Sequence, residues 1–410
     1  MTTLTPRDAR DVETAVRDAI GAGQPLEIIG HGTKRTIGHR SQTNAALDIS
    51  ALSGVTSYEP NELILTVQAG AALHEVEQLI AAKNQELAFE PMDTATLLGT
   101  AAQRGSIGGM IAAGLAGPRR VKAGGVRDHL LGVAAVSGFG ESFKAGGKVV
   151  KNVTGYDLCK LVAGSWGTLS VLTEVTLKVM PRAESERTLV LRGLDAVAAG
   201  QAMGTALGSP FDVSGAAHVP VSSWRGSGAL ADLAAGEALT LIRLEGIAAS
   251  VAHRARALAS ELNGSVVAAE VEGAVSHDVW RAVRDVAPFA AAGPLGAWPV
   301  WRIVCPPAAG PAFGQRLARE TGGDLIYDWG GGLIWAALPP AQDAHAATVR
   351  ERAAAIGGHA TLIRAPDATR EAIDVFHPLE AGVAALTARV KASFDPSDIL
   401  NRGRLARVAR

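Results

Sequence analysis

A glycine-rich loop that follows a short apolar run is the first segment whose residue types suggest chemistry. The run ends at Ile29 and predicts a buried strand. The next five residues are Gly30, His31, Gly32, Thr33 and Lys34. Glycines lack a Cβ atom, so successive backbone N–H groups can turn toward one anion, to which Lys34 adds a charge and Thr33 a hydroxyl. These residues favour a diphosphate ligand, and an ordinary glycine turn is an equally open interpretation.

A second glycine-dense stretch runs from Gly105 to Gly117. Its first part contains Ser106, Ile107, Gly108 and Gly109. Each glycine inside a helix costs ~1 kcal/mol relative to alanine, so this density predicts that something approaches the backbone closely. Two interpretations remain open: a flat ring that packs on the main chain, or helices that pack tightly in a core.

A basic cluster follows the second glycine stretch. It consists of Arg119, Arg120, Lys122 and Arg127. A guanidinium group can bind a carboxylate through two parallel hydrogen bonds, so the cluster is typical of a carboxylate site or of a surface that docks a partner subunit. A solvated loop explains the same charges equally well.

Histidines and cysteines show no pattern of metal ligands. Six histidines of the second half stand singly: His218, His253, His277, His345, His359 and His377. Metal sites need several such ligands at close spacing, so we predict structural or surface roles for these histidines and no metal site. The two cysteines, Cys159 and Cys305, are too few for an iron–sulfur cluster within the chain. The catalytic residues remain unknown at this point.

Charge and hydropathy exclude several functional classes. The chain has 410 residues and a formal net charge of −1, which argues against a nucleic-acid partner. Its first residues carry charges where a signal peptide needs an apolar run. No apolar run reaches the ~18 residues of a transmembrane helix. We therefore expect a cytoplasmic protein, whose membrane association, if it has one, would go through partner subunits.

Alternating helix and strand patterns must position the candidate residues. Thr5 with Asp8 predicts the start of a first helix, and apolar spacing predicts another helix from Leu73 to Lys83. Beyond Pro181 a β-α-β rhythm occurs twice. This order predicts an antiparallel sheet with helices on one face, built from two ferredoxin-like halves. A last predicted helix ends at Phe394.

Several of these segments resemble the FAD-binding domain of the vanillyl-alcohol-oxidase type. The resemblance is carried by residues 30–34, 105–109 and 162–169. Three segments are similar, more specifically, to the FAD-binding subunits of bacterial glycolate oxidase: residues 108–120, 150–161 and 394–404. The last of these has Arg402 where proline is usual. Between residues 182 and 390 the resemblance rests on the order of the elements alone.

The resemblance implies FAD as the cofactor. Gly30, His31, Gly32, Thr33 and Lys34 would hold its diphosphate, and Ser106, Ile107, Gly108 and Gly109 would line the diphosphate and the flavin. Pro91 and Met92 would border the cofactor, and the backbone of Val171 would meet the adenine. Thr33 stands where covalent relatives carry the flavin-linking histidine, so we expect the FAD to be non-covalent.

The resemblance also implies an α+β architecture of three parts. An FAD-binding domain of the vanillyl-alcohol-oxidase type would span residues 1–182. A smaller, ferredoxin-like cap domain would span residues 183–370. A C-terminal segment, residues 371–410, would return to the FAD-binding domain.

The implied function is that of the FAD-binding subunit of a glycolate oxidase complex, which oxidises glycolate to glyoxylate. Catalytic relatives carry a histidine-rich motif resembling H-x-G-D-G-N, which this chain lacks. Activity is therefore expected only with a catalytic flavoprotein subunit and with an iron–sulfur subunit that accepts the electrons. Two alternatives stay open: a self-sufficient FAD-linked dehydrogenase of small 2-hydroxy acids, with Arg119 or Arg127 on the carboxylate, and a non-catalytic flavin-binding scaffold.

Overall fold

The fold is given by a computed structural model that describes residues 2–100, 105–148, 155–224, 228–262 and 267–406. Residues 150–154, which belong to one of the glycolate-oxidase-like segments, lie outside the described residues. The strands are β1 Thr2–Leu4, β2 Leu26–Ile29, β3 Ala45–Asp48, β4 Val55–Glu59, β5 Ile64–Gln68, β6 Gln85–Glu86, β7 Leu130–Ser137, β8 Ser142–Gly146, β9 Ser170–Lys178, β10 Met180–Pro181, β11 Ser185–Arg192, β12 Val213–Val219, β13 Leu239–Gly246, β14 Val267–Glu272, β15 Val300–Val304, β16 Asp324–Asp328, β17 Leu333–Ala337 and β18 His359–Arg364.

Fifteen α-helices are described between and after these strands. They are α1 Ala9–Ala22, α2 Leu73–Ala81, α3 Thr94–Leu98, α4 Ile107–Ala113, α5 Arg120–Ala123, α6 Val126–His129, α7 Leu158–Val162, α8 Ala196–Gly208, α9 Ala229–Ala234, α10 Ala248–Glu261, α11 Gly273–Arg284, α12 Gly310–Thr321, α13 Ala346–Ala354, α14 Asp367–Ala372 and α15 Ala381–Phe394. The predicted start of α1 at Thr5 is wrong. Asp8 is the N-cap, and its carboxylate accepts hydrogen bonds from the N–H groups of Arg10 and Asp11.

Two main sheets build the first part of the chain, beside a two-stranded antiparallel pair of β6 and β10. A small parallel sheet has the order β1-β3-β2, and a five-stranded antiparallel sheet has the order β4-β5-β9-β7-β8. Buried side chains from both sheets, from α1, α2 and α4, form one hydrophobic core. Val12 and Val16 of α1 are fully buried in this core, because the apolar face of the helix must leave water.

One eight-stranded sheet builds the second part, in the order β14-β11-β13-β12-β16-β17-β15-β18. Its first half, β11 to β14 with α8 and α10, is a β-α-β-β-α-β unit in which the strands lie in the order fourth, first, third, second. The second half, β15 to β18 with α12 and α13, has the same order when read from β18. The two predicted ferredoxin-like halves are confirmed, and β12 pairs with β16 where they join.

Side chains alternate between the two faces of this sheet. Leu189 and Leu191 pack with α8 and α10, whereas Val190 between them lies in a cluster that includes Met92 of the first part. The prediction that all helices lie on one face is wrong for α11. Its apolar residues Val279 and Val283 pack on the Val190 side, so α11 lies between the sheet and the first part of the chain.

The segment around Ile399 and Asn401 pairs with the small parallel sheet. The N–H of Leu26 donates to the carbonyl of Ile399 (2.7 Å), and the N–H of Asn401 donates to the carbonyl of Leu26 (3.0 Å). The side chain of Asn401 also accepts from the N–H of Ile28 (2.8 Å). Residues 395–404 therefore lie along β2, which is an edge strand of the small parallel sheet. The domain limits at residues 182 and 370 stay a prediction.

Candidate functional site

The loop after β2 opens into a cleft, which we call the loop cleft. It is lined by Ile28, Ile29, Gly30, His31, Gly32, Thr33, Lys34, Arg35, Ile49, Ser106, Gly108, Gly109, Ala112, Ser165, Trp166, Gly167, Ser170, Leu172, Asn401 and Arg404. The glycine loop, the start of α4, the turn before β9 and the C-terminal segment thus meet at one place. Four segments that are far apart in sequence share this cleft.

Close backbone packing holds the two glycine segments together. A Cβ atom on Gly30 would lie 2.2 Å from Oγ of Ser106, and one on Gly105 would lie 2.6 Å from Oγ1 of Thr33. A side chain at either position would push the segments apart. At Gly108 a Cβ atom would lie 2.9 Å from the carbonyl oxygen of Ala69, so tight packing explains that glycine. Tight packing within the protein therefore accounts for Gly105 and Gly108, and the flat ring on the main chain stays a hypothesis.

Three polar atoms of the lining residues are buried without a hydrogen-bond partner among the described residues. They are Nδ1 of His31, Oγ of Ser170 and Nε of Arg404. Buried polar atoms in folded proteins almost always find a partner. Three such atoms on one cleft fit a polar ligand that hydrogen-bonds to them.

The charge of the loop cleft fits an anion. Lys34 and Arg404 bring positive charge, whereas Arg35 is paired with Glu27 at 2.5 Å, and no Asp or Glu is among the described residues that line the cleft. Burial lowers the pKa of Arg404 to about 10, because water that would solvate the guanidinium is excluded. A diphosphate would supply the missing negative charge. The donor set therefore fits the ligand predicted from the loop.

The predicted cofactor residues divide into two groups. The loop cleft is lined by Gly30, His31, Gly32, Thr33, Lys34, Ser106, Gly108 and Gly109. Four others do not line it: Pro91, Met92, Ile107 and Val171. Met92, Ile107 and Val171 are core side chains, and Pro91 lies at a second cleft between α2 and the eight-stranded sheet.

Several lining residues escaped the sequence analysis. Asn401 and Arg404 were part of a segment similar to glycolate oxidase subunits, but nothing in their spacing pointed to the loop after β2. Ser165 and Trp166 belong to the segment 162–169 that resembles the FAD-binding domain, but no function was predicted for either residue. Hydrogen bonds explain their position: Nδ2 of Asn401 donates to the carbonyl of Trp166 (2.7 Å), which joins the two segments.

The basic cluster does not form one exposed patch. Arg119 is buried among four carboxylates, with its guanidinium 2.6 Å from Glu245, 3.0 Å from Glu86, 3.6 Å from Glu186 and 3.8 Å from Glu90. Arg243 completes this group, which we call the ionic cluster. Arg120 lies 4.5 Å from the ring centre of Trp329, and Lys122 pairs with Asp212. The prediction that Arg119 offers its charge to a substrate or partner is wrong, because side chains of the same chain already neutralise it.

Among the described histidines and cysteines, His218 and Cys305 are buried in the fold, whereas His253, His277 and His359 are exposed. His218 is buried and lies 2.9 Å from Oγ1 of Thr240, and burial lowers its pKa to about 4. Burial also raises the pKa of Cys305 to about 11, so this thiol stays protonated at neutral pH. In the part of the chain that the structure describes, no group of three or more His, Cys, Asp or Glu side chains could hold a metal ion. None of the described helices is long and apolar enough to span a bilayer.

Comparison with known proteins gives matches along the whole chain. The family described as an FAD binding domain matches residues 2–146. Glycolate oxidase subunit GlcE of Escherichia coli K12 is 32% identical over 397 residues, covering 95% of each chain. Glycolate oxidase subunit GlcD of Bacillus subtilis is 28% identical over 188 residues, which are 46% of this chain and 38% of that protein. The D-lactate dehydrogenase of Archaeoglobus fulgidus is 34% identical over 188 residues, or 40% of its length.

Solved structures share the fold. Alkyldihydroxyacetonephosphate synthase superposes with a TM-score of 0.66 over 98% of this chain and 76% of that chain, at 15% sequence identity. At this identity the match concerns the fold alone. The α+β fold with an FAD-binding domain of the vanillyl-alcohol-oxidase type is confirmed.

Proposed function

Because the chain belongs to the family of FAD-linked oxidoreductases that includes the E. coli glycolate oxidase subunit GlcE, we propose that it is the FAD-binding subunit of a glycolate oxidase complex. The observation that carries this proposal is the 32% identity with that subunit over 95% of both chains. A match of this extent includes the cap and the C-terminal segment as well as the cofactor domain. Its cofactor is FAD.

The loop cleft is our proposed site of the FAD diphosphate. The positive charge of Lys34 and Arg404, and the partnerless polar atoms of His31 and Ser170, support this placement. Gly32 has a φ of +69°, which lets the loop turn its backbone toward a ligand. When bound, FAD supplies a group that can accept and pass on two electrons. The chain's own residues would bind and orient it.

We assign substrate oxidation to a partner flavoprotein subunit. Removal of a hydroxyl proton needs a general base beside the flavin, and the sequence lacks the histidine motif that resembling catalytic subunits carry. Arg119 was the candidate for the substrate carboxylate, and its engagement by four glutamates favours a structural role. Both points support a subunit that works within a complex.

We also propose an iron–sulfur subunit as the electron acceptor. Iron–sulfur clusters are held by several cysteine thiolates, and this chain has two cysteines, both buried. Electrons would therefore leave the flavin for a cluster on another chain.

Helix α15 supports membership in a complex. None of its residues is buried, although Val383 and Leu386 are large apolar side chains. Exposed apolar patches on soluble proteins mark contacts with other proteins. The chain runs from α15 into the residues that line the loop cleft, so a partner on α15 would sit beside the cofactor domain. We place the iron–sulfur subunit there, since it must approach the flavin.

The test is flavin reduction by glycolate, followed anaerobically by loss of flavin absorbance. We expect the purified chain alone to be reduced slowly or not at all, and rapid reduction when the two partner subunits are co-purified with it. Rapid, stoichiometric reduction of the chain alone would instead establish a self-sufficient 2-hydroxy-acid dehydrogenase. No reduction of its flavin in the assembled complex would establish a non-catalytic scaffold.

A further inference from the structure

The C-terminal segment places one guanidinium group inside the loop cleft. Arg404 is 7% exposed, and its Nη2 donates to the carbonyl of Lys34 (2.6 Å). The carbonyl of Arg404 accepts from the N–H of His39 (3.1 Å). Side chain and main chain of Arg404 are therefore both fixed against the segment that follows β2.

The packing around Arg404 leaves room for its guanidinium. Gly38 has a φ of +86°, and a Cβ atom there would lie 3.1 Å from Nε of Arg404. The Trp166 ring lies on another side, with its centre 5.8 Å from the guanidinium carbon. Gly38, and Trp166 of the cleft wall, thus hold the charged group in place.

The charge of Arg404 is compensated incompletely by the described residues. Among the described carboxylates, the one within 4 Å is that of Glu27, 3.9 Å from Nη1. That carboxylate is bound more closely by Arg35, at 2.5 Å. Nε of Arg404 has no hydrogen-bond partner among the described residues. A buried cation in this state is costly unless an anion joins it.

We propose that Arg404 binds the diphosphate of FAD, so that the C-terminal segment completes the cofactor site. This proposal rests on the placement of FAD in the loop cleft, made above. The planar guanidinium can donate two parallel hydrogen bonds to phosphate oxygens, which Lys34 as a point charge cannot do. The pKa of about 10 that burial gives Arg404 still leaves the group charged at neutral pH.

Arg402 provides a matched control from the same segment. It lies two residues earlier, pairs with Asp398 at 3.3 Å, and is not among the residues that line the loop cleft. Its side chain is 40% exposed. Replacing Arg402 therefore removes the same charge from the same segment without touching the cleft.

The experiment is a titration of flavin-free protein with FAD, read by quenching of flavin fluorescence at low and high salt. We expect R404M to raise the Kd about 10- to 100-fold, as for loss of a charge-assisted hydrogen bond, and R404K to recover part of the affinity. R402M should stay within about twofold of the parent, a change of less than 0.5 kcal/mol. Salt should weaken FAD binding less in R404M than in the parent, because one screened charge pair is gone.

A second titration uses ADP, which carries the diphosphate without the flavin. Its Kd should rise by about the same factor in R404M. FAD and ADP binding within twofold of the parent would overturn the assignment. A loss of affinity with unchanged salt dependence and no recovery in R404K would also overturn it, in favour of a structural role at the Lys34 carbonyl. If the parent chain bound no FAD at all, the proposed function itself would fall.

Discussion

The guanidinium of Arg119 forms a hydrogen-bonded ion pair with the carboxylate of Glu245. Its Nη2 donates to Oε1 (2.6 Å), and its Nε lies 3.0 Å from both oxygens. Arg119 follows the second glycine stretch, whereas Glu245 lies near the end of β13 in the eight-stranded sheet. This ion pair therefore joins the cofactor part of the chain to the sheet that covers it. Burial alone would raise the pKa of Glu245, but the charges of Arg243 and Arg119 outweigh burial and lower that pKa to about 2.

Replacing Arg119 should destabilise the protein strongly. R119M removes the positive charge that Glu86, Glu90 and Glu245 share with Arg119 in the interior. Removing one partner of a buried ion pair typically costs about 3–5 kcal/mol of stability. The measurement is the free energy of unfolding in urea. K122M is the control, because Lys122 pairs with Asp212 at the surface, where such a pair contributes about 0–1 kcal/mol. Equal losses in the two variants would contradict the role of Arg119.

Asp328 should make stability depend on pH near neutrality. It is 3% exposed, and burial raises its pKa to about 7. An unfolded Asp loses its proton near pH 3.8, so between these values the folded protein binds a proton that the unfolded chain does not. Stability from this group therefore falls as pH rises through that window, by up to about 4 kcal/mol above pH 7.

The variant D328N tests this dependence. Asn keeps an oxygen that can accept from the N–H of Trp329, as Asp328 does at 2.7 Å, and it does not titrate. We expect D328N to exceed the parent in free energy of unfolding at pH 8, with a gain that shrinks toward pH 4. A difference that is the same at both pH values would show that Asp328 does not titrate in this range.

Sequence patterns predicted the repeating parts of this fold better than its long-range contacts. The two ferredoxin-like halves follow from local alternation of strands and helices, which the order of residues carries directly. The ionic cluster does not, because Glu86 and Glu90 of the first part meet Glu186 and Glu245 of the eight-stranded sheet only where the two parts pack around Arg119. The position of Arg404 in the cleft was not predicted for the same reason, because it contacts Lys34, which lies 370 residues earlier in the sequence. Sequence spacing holds no information on such pairs.

Gly32 should be essential for flavin content. G32V forces a branched side chain into a φ of +69°, in the loop where we place the diphosphate, with its Cβ 3.4 Å from Cδ of Arg35. We expect FAD content, measured by absorbance per mole of purified protein, to collapse while the protein stays folded. G357V is the control, since Gly357 has a similar φ of +71° and open space around it, far from the cleft in sequence. Full flavin content in G32V would contradict the placement of the diphosphate.

The FAD should be released when the protein is denatured. Thr33, which stands at the position of the linking histidine in covalent relatives, has a hydroxyl 3.3 Å from Nζ of Lys34 and no imidazole to form the bond. Acid precipitation followed by chromatography of the supernatant should recover all of the flavin as FAD. Flavin that remained on the pellet would contradict this, and digestion would then show whether His31, the imidazole of the same loop, carries it.

The exposed apolar side of α15 should be needed for assembly but not for flavin binding. We propose that this side meets the iron–sulfur subunit, because Val383 and Leu386 remain half exposed. At the far end of the helix, Nζ of Lys391 donates to the carbonyls of Thr168 (2.9 Å) and Leu400 (3.2 Å). The helix is thus anchored beside the loop cleft and leaves its apolar residues uncovered. A charge placed on this side would have to be buried unpaired at an interface, which costs far more than a charge in water.

V383E and L386E should therefore abolish co-purification of the iron–sulfur subunit while FAD content stays at the parent value. Ala385 is the control position, because each helical residue turns by ~100° and places it roughly opposite Val383. A385E adds the same charge to the same helix and should co-purify normally. If V383E and L386E retained the iron–sulfur subunit at parental stoichiometry, α15 would not be the docking surface. If all three variants lost it together, the general charge of the helix, rather than its apolar side, would govern assembly.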